Sequence, residues 1–127
     1  MHQSEACHCG SNRSFDQCCL PYHLGVAIPP TAEALMRSRY TAYVLANVVY
    51  LKATWHANTV PQKLQLNEPR TQWLGLTIQR SENSDAEHAQ VEFVARYKLN
   101  GRAHRLHEVS RFIREDGRWY YLDGQFD

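Results

Sequence analysis

The spacing of apolar positions along the chain changes once, near residue 70. Before it, Leu35, Met36, Tyr40, Tyr43, Val44, Val48, Leu51 and Trp55 recur every three or four residues, the period of a helix with one buried face. Thr31 stands where an N-cap belongs, and Glu33 falls in the first turn, where the helix dipole favours negative charge. Asn47 interrupts the stripe and predicts a bend, with helices over about 31–46 and 48–56. The segment HANTVPQKLQLNEP, polar and broken by Pro61 and Pro69, reads as mostly loop. From Thr71 the period shortens. WLGLTIQR predicts a strand and SENSDAEH a polar loop. In QVEFVARYKL, Val91, Phe93, Ala95, Tyr97 and Leu99 alternate with Glu92, Arg96 and Lys98, the pattern of a half-buried strand. Asn100-Gly101 is a hairpin turn signal, the next strand runs to about Ile113, EDG turns again, and RWYYLDG ends the series. Helices first and an antiparallel meander after, in one domain, predict an α+β fold: a curved sheet wrapped around a helical layer.

Upstream of the helical stripe the pattern fails altogether. All four cysteines lie in CHCGSNRSFDQCC, between Cys7 and Cys19, and the break PYHLGVAIPP follows, with Gly25, Pro29 and Pro30 reading as a linker. MHQSEA has neither a basic n-region nor an apolar h-region, so a cytoplasmic, reducing setting is expected. AYVLANVVYL is too short to span a bilayer, so no membrane association is expected. Thiols clustered in a reducing compartment point to a metal site or a catalytic pair before a disulfide framework. Two close pairs, Cys7/Cys9 and Cys18/Cys19, joined by an eight-residue loop, can supply the tetrahedron that Zn²⁺ prefers. Gly10 suits a tight bend, and Asn12 tolerates a left-handed backbone. Ser14 and Gln17 form a capping-box pattern, which predicts one helical turn over FDQCC with Phe15 as an apolar plug beneath the site. Redox chemistry and inert buried thiols are the competing readings; adjacent cysteines rarely bridge each other without strain. Four thiolates complete a coordination shell without His8 or His23, and a closed shell means a structural ion, since a catalytic zinc keeps a position open.

The same stretch resembles the SEC-C motif, the zinc-binding module at the C-terminus of the SecA preprotein translocase. The likeness covers both cysteine pairs, their separation and Gly10-Ser11. It implies Cys7, Cys9, Cys18 and Cys19 as ligands. It also implies contact with proteins, among them ribosomes and the export chaperone SecB. The rest of the chain, through LMRSRYTAYV, TWH, WLGL, EFVARY, HEVSRF and REDGRWYYLDG, resembles the YchJ family, whose main domain has the cone-shaped nuclear transport factor two-like fold. The resemblance implies a zinc knuckle over residues 1–26 and the cone over 27–127. Relatives commonly carry a second SEC-C copy at the C-terminus. None lies within these 127 residues, and weaker binding of a shared partner is expected if two copies act by avidity.

Chemistry in the cone is less marked. His56, Glu108 and Asp123 are the candidates for acid–base work. Arg37, Arg39, Glu108 and Arg111 are the candidates for a pocket lining or a structural ion pair, with Glu108 expected to meet Arg37 or Arg39 because an unpaired buried carboxylate is costly. No nucleophile with an evident base and no phosphate-binding loop occurs in this part. A structural role outweighs a catalytic one. The net charge is +1, and the basic residues of the strands (Arg96, Lys98, Arg102, Arg105, Arg111, Arg114, Arg118) interleave with Glu92, Glu108, Glu115 and Asp116, so DNA binding is not expected. The leading expectation is a zinc-dependent protein-interaction module on a hinge, with a ribosomal or export partner. The second is a small-ligand binder or enzyme using the cone.

Overall fold

The computed structural model describes residues 6–64 and 71–126. In chain order it has a 3-10 turn (Phe15–Gln17), α1 (Leu20–His23), α2 (Ala32–Leu45), α3 (Val48–Ala53) and four strands, β1 (Thr71–Asn83), β2 (His88–Leu99), β3 (Arg102–Glu115) and β4 (Arg118–Phe126). The strands form one antiparallel sheet in the order β1-β2-β3-β4. The fold class is the expected α+β cone. Of the loop expected over residues 56–69, residues 65–69 lie outside the described residues, and 56–64 are irregular.

α2 begins and ends where the sequence placed the signals, and α3 begins there but stops at Ala53, short of the expected 56, because Trp55 leaves the helix to bridge to Tyr121. Thr31 Oγ1 accepts from Ala34 N at 3.0 Å. α2 closes on Ala46, left-handed at φ 58, with Asn47 N donating back to Ala42 O at 2.8 Å. Asn47 then caps α3, its Oδ1 accepting from Tyr50 N at 3.1 Å. One residue therefore stops one helix and starts the next. Asn100 and Gly101, both at positive φ (53 and 79), make the expected tight turn, and Asp116 and Gly117 (51 and 77) repeat it.

Three further features differ from expectation. β1 runs on through Ser81–Asn83, and the polar loop shrinks to Ser84–Glu87, so β1 and β2 are also joined as a hairpin. These residues are exposed on both faces, which removes the alternation that marks a strand, yet the ladder to β2 continues to Asn83↔Ala89. The segment read as a break contains α1, which tolerates Pro21 because it sits in the first turn. Phe15–Gln17 is a 3-10 turn without the expected side-chain cap: Ser14 Oγ donates to Asp16 Oδ1 at 2.7 Å instead.

The core is shared. A single buried cluster joins Cys7, Cys9 and Cys19 to Leu35, Met36 and Tyr40 of α2 and to Leu76, Val91, Phe93 and Phe112 of the sheet. The cysteine loop is thus part of the wall of the cone, where a hinged appendage was expected. Register shifts in β1 and at Arg111/Phe112 of β3 accompany the sheet's curvature around α2. Past α3, Trp55 bridges to Tyr121, with His56 N donating to Tyr121 O and Tyr121 N donating to Thr54 O, both at 2.8 Å. No helix among the described residues is long and apolar enough to cross a membrane.

Candidate metal centre and the cavity of the cone

The cysteine loop is drawn into a ring by Cys7 N donating to Arg13 O at 2.8 Å and by an Ala6↔Ser14 bridge. Gly10 (φ 82) and Asn12 (φ 67) take the left-handed conformations that the bend requires. Gly10 also rests on β1: a Cβ there would come 3.0 Å from the Leu76 carbonyl oxygen. From the other side Arg37 Nη1 donates to Cys9 O at 2.6 Å while its Nε reaches Glu33 Oε2 at 3.2 Å. α1 completes the clamp. His23 Nε2 lies 2.8 Å from Ser38 O, and its ring packs on Tyr50 at 4.5 Å and edge-on to Phe15 at 6.0 Å. Phe15 is the plug that was expected, and His23 is a packing residue outside the ligand cluster.

The four sulfurs lie within 4.8 Å of one another, with Cys9–Cys18 at 3.6 Å and Cys18–Cys19 at 3.9 Å. A tetrahedral zinc thiolate with Zn–S of about 2.3 Å needs S···S edges of about 3.8 Å. These distances therefore suit one ion and far exceed a disulfide bond of about 2.05 Å. All four thiols are free. Hydrogen bonds from Cys19 and Cys7 hold the Cys9 thiol far below its ordinary value. Bonds to Cys7 and Cys9, with burial, push Cys19 far above its own. A divalent ion among the sulfurs would allow several of them to ionise together. Two hydroxyls support the sulfurs: Ser11 Oγ is 3.1 Å from Cys18 Sγ, and Thr41 Oγ1 is 3.4 Å from Cys19 Sγ and 3.6 Å from Cys7 Sγ. Thr41, fully buried on α2, was not singled out from sequence. Its signal is a polar residue inside the apolar stripe.

Between α2 and the sheet lies a cavity of about 340 Å³, at the lower end of the range for small-ligand sites. Arg39 reaches it from α2 with the residue only 2% exposed. Its Nη1 donates to Leu51 O (2.9 Å) and Thr54 Oγ1 (2.8 Å), and its guanidinium lies over the rings of Trp55 (4.9 Å) and Tyr121 (4.5 Å). Burial lowers its pKa, opposed by nearby tyrosines and Glu108. Glu108 enters from β3 and is 6% exposed. Its Oε2 accepts from Ser110 Oγ and, at 3.4 Å, from Tyr121 Oη. Burial pushes the Glu108 carboxyl up from its ordinary value, and these hydroxyls and Arg39 pull it part of the way back.

The expected ion pair is therefore replaced by a relay. Arg37 turns to the cysteine loop, and Tyr121 stands between Arg39 and Glu108, its ring under the one and its hydroxyl on the other. Nor are the acid–base candidates brought together. His56 Nε2 meets Glu115 Oε1 at 2.7 Å, and its ring lies edge-on to Tyr120. Asp123 pairs with Arg111 on the outer face, where Arg111 holds its carboxyl below its ordinary value. Neither lines the cavity of Glu108. Strand alternation explains the split: Glu108 and Ser110 face inward with Phe112, and Arg111 faces outward.

Gly124, paired with Ser110, is a further residue that sequence reading passed over. A Cβ there would overlap the Glu108 carboxylate, 2.7 Å from Cδ and 3.0 Å from Cγ. A lone glycine within a strand is the available signal for such close approach. Gly124→Ala is expected to cost about 3 kcal/mol in urea unfolding, from overpacking and the displaced hydrogen bonds. In a Glu108→Ala background the same change should cost under about 1 kcal/mol, because the two residues interact directly. Equal costs in the two backgrounds would refute the contact.

The family model described as "YchJ, middle NTF2-like domain" matches residues 31–124. A UPF0225 protein of Cupriavidus metallidurans is 59% identical over 124 residues, spanning 93% of this chain and 86% of that protein. A UPF0225 protein of Ralstonia nicotianae is 54% identical, spanning 94% and 90%. Among solved structures, a SEC-C motif containing protein from Rhodopseudomonas palustris superposes with a TM-score of 0.84 at 31% identity, covering 95% of this chain and 98% of the other. One from Psychrobacter arcticus gives 0.78 at 28%, covering 98% and 83%. With that domain matched across α2, α3 and parts of all four strands, and the cysteine cluster docked ahead of it as the sequence placed it, the chain belongs to the YchJ family.

Proposed function

We propose that this protein is a zinc-bearing protein-interaction module whose ion is structural. Cys7, Cys9, Cys18 and Cys19 would hold the ion. When bound, it neutralises the thiolates and leaves no open position for chemistry. The reading is carried by one juxtaposition: just past α1, which follows the last cysteine, the chain exposes Leu24 (66%), Val26 (79%) and Ile28 (47%), with Val49 of α3 (80%) across a shallow groove that Leu24, Ile28 and Val49 line. An apolar strip of this kind on a soluble protein marks a contact surface. The likeness to SEC-C modules directs the search toward ribosomal and export proteins in the cytoplasm, whose reducing conditions keep thiols available to zinc. The reading assigns no catalysis.

The test is capture from a bacterial lysate with zinc-loaded bait and a Leu24→Glu, Val26→Glu variant matched in zinc content and circular dichroism. Ribosomal or export proteins retained by the first and lost by the second support the reading. Equal capture, or none, refutes it. The hydroxyl that supports two of the sulfurs is separately testable. Thr41→Val keeps shape but removes the donor, and is expected to weaken zinc about tenfold against a chromophoric chelator, with the fold intact.

A second reading, a small-ligand binder, is favoured by the cavity that holds Arg39 and Glu108.

A further inference from the structure

We infer that the cavity between α2 and the sheet binds a small, uncharged, planar ring carrying an N–H or O–H donor, which it directs to Glu108. The inference rests on the small-ligand reading and adds the class of ligand.

Three observations carry it. The first is spare acceptor capacity. Both described side-chain hydrogen bonds to Glu108 end on Oε2, and the residue, 6% exposed, lines the cavity. A carboxylate offers about four lone-pair sites, so two donors leave capacity for a donor on a ligand. Gly124 shows that this position is specific, since the carboxylate lies where any other side chain on β4 would begin.

The second is charge balance. Arg39 and Glu108 bring one positive and one negative group to the same cavity and are joined through Tyr121. A neutral guest preserves that balance. A charged one leaves a net charge out of water, which costs several kcal/mol.

The third is the wall. Trp73 lies against Tyr40 (centroids 5.8 Å, edge-on) and Tyr43 (6.3 Å, tilted), and all three line the cavity with Phe93 and Tyr121. Aromatic surroundings of this kind reward a flat aromatic guest through edge and offset contacts beyond simple area burial. Arg39 Nη1 is already committed to Leu51 O and Thr54 Oγ1 and its guanidinium is stacked between two rings, so the Glu108 carboxylate is an acceptor available to orient the guest.

The test uses the full zinc-loaded chain and four probes: indole, 1-methylindole, benzoate and benzylamine. Binding is followed by the side-chain N–H resonances of Trp55 and Trp73. The expected result is saturable binding of indole at these tryptophans, with 1-methylindole about tenfold weaker because its donor is blocked, and both charged probes weaker still. Glu108→Met should erase the difference between the two indoles. The comparison of probes on the unsubstituted protein stands even if that variant does not fold. Equal binding of the two indoles, or tighter binding of either charged probe, overturns the ligand class and leaves the small-ligand reading standing. No saturable shift with any probe, or shifts confined to the Leu24–Val49 groove, overturns both.

Discussion

Stripping zinc from the loaded protein is expected to unfold the cone together with the cysteine loop. A structural zinc contributes about 10–16 kcal/mol of apparent binding free energy in small motifs. A domain of this size has a total stability of about 5–15 kcal/mol. In a hinged appendage that loss would stay local. Here Cys7, Cys9 and Cys19 are 5%, 0% and 1% exposed, in the same cluster as Leu35, Tyr40, Leu76 and Phe93. Thr41 and Arg37 of α2 make direct contacts with the loop, and Gly10 leans on β1. Repelling or protonated thiols in place of the ion therefore open the seam between α2 and the sheet. The measurement is a thermal melt by near- and far-ultraviolet circular dichroism, with and without chelator. The chelated protein should lose its aromatic near-ultraviolet signal and its cooperative transition. An unchanged transition for the sheet would show that the shared core is energetically two cores.

The second large effect is expected at Arg39. Arg39→Ala should cost about 3–5 kcal/mol, the range for breaking a buried charge arrangement from one side. It removes the donor to Leu51 O and Thr54 Oγ1, which ties α2 to α3, and the cation under which Trp55 and Tyr121 are stacked. It also leaves Glu108 in the cavity without the positive charge that offsets its burial. Arg39→Lys keeps the charge but not the planar fork or the stacking, and should fall between the two, at about 1–2 kcal/mol. Urea unfolding of the three proteins, zinc-loaded, decides the matter. A loss under about 1 kcal/mol for the alanine variant would mean that the guanidinium is not the brace described.

Much of this architecture was legible from local chemistry. The helical stripe, Thr31, Asn47 and the Asn100-Gly101 turn each act within a few residues of themselves, so sequence spacing carries them. The cysteine set was legible for the same reason. What could not be read were relations set by packing. Nothing in CHCGSNRSFDQCC says that its sulfurs will face Thr41, or that Arg37 will bind the Cys9 carbonyl and leave Glu108 to Tyr121. His56, Glu108 and Asp123 were grouped by residue type; opposite faces of the sheet separate Glu108 from Asp123, and His56, past α3, pairs with Glu115. The end of β1 was missed because residues exposed on both faces carry no period at all.

The meander also bears on the order in which the molecule assembles. Each strand pairs with its neighbour in sequence through a short turn, so the sheet can zip from its hairpins without closing a large loop. The thiol site asks for the opposite: Cys7 must find Thr41, 34 residues on, and Gly10 must find Leu76, about half the chain away. Loop-closure entropy delays such contacts until partners are already in place. Local strand pairing is therefore expected to lead, with the helices docking next and the cysteine segment captured last, although it precedes them in the chain.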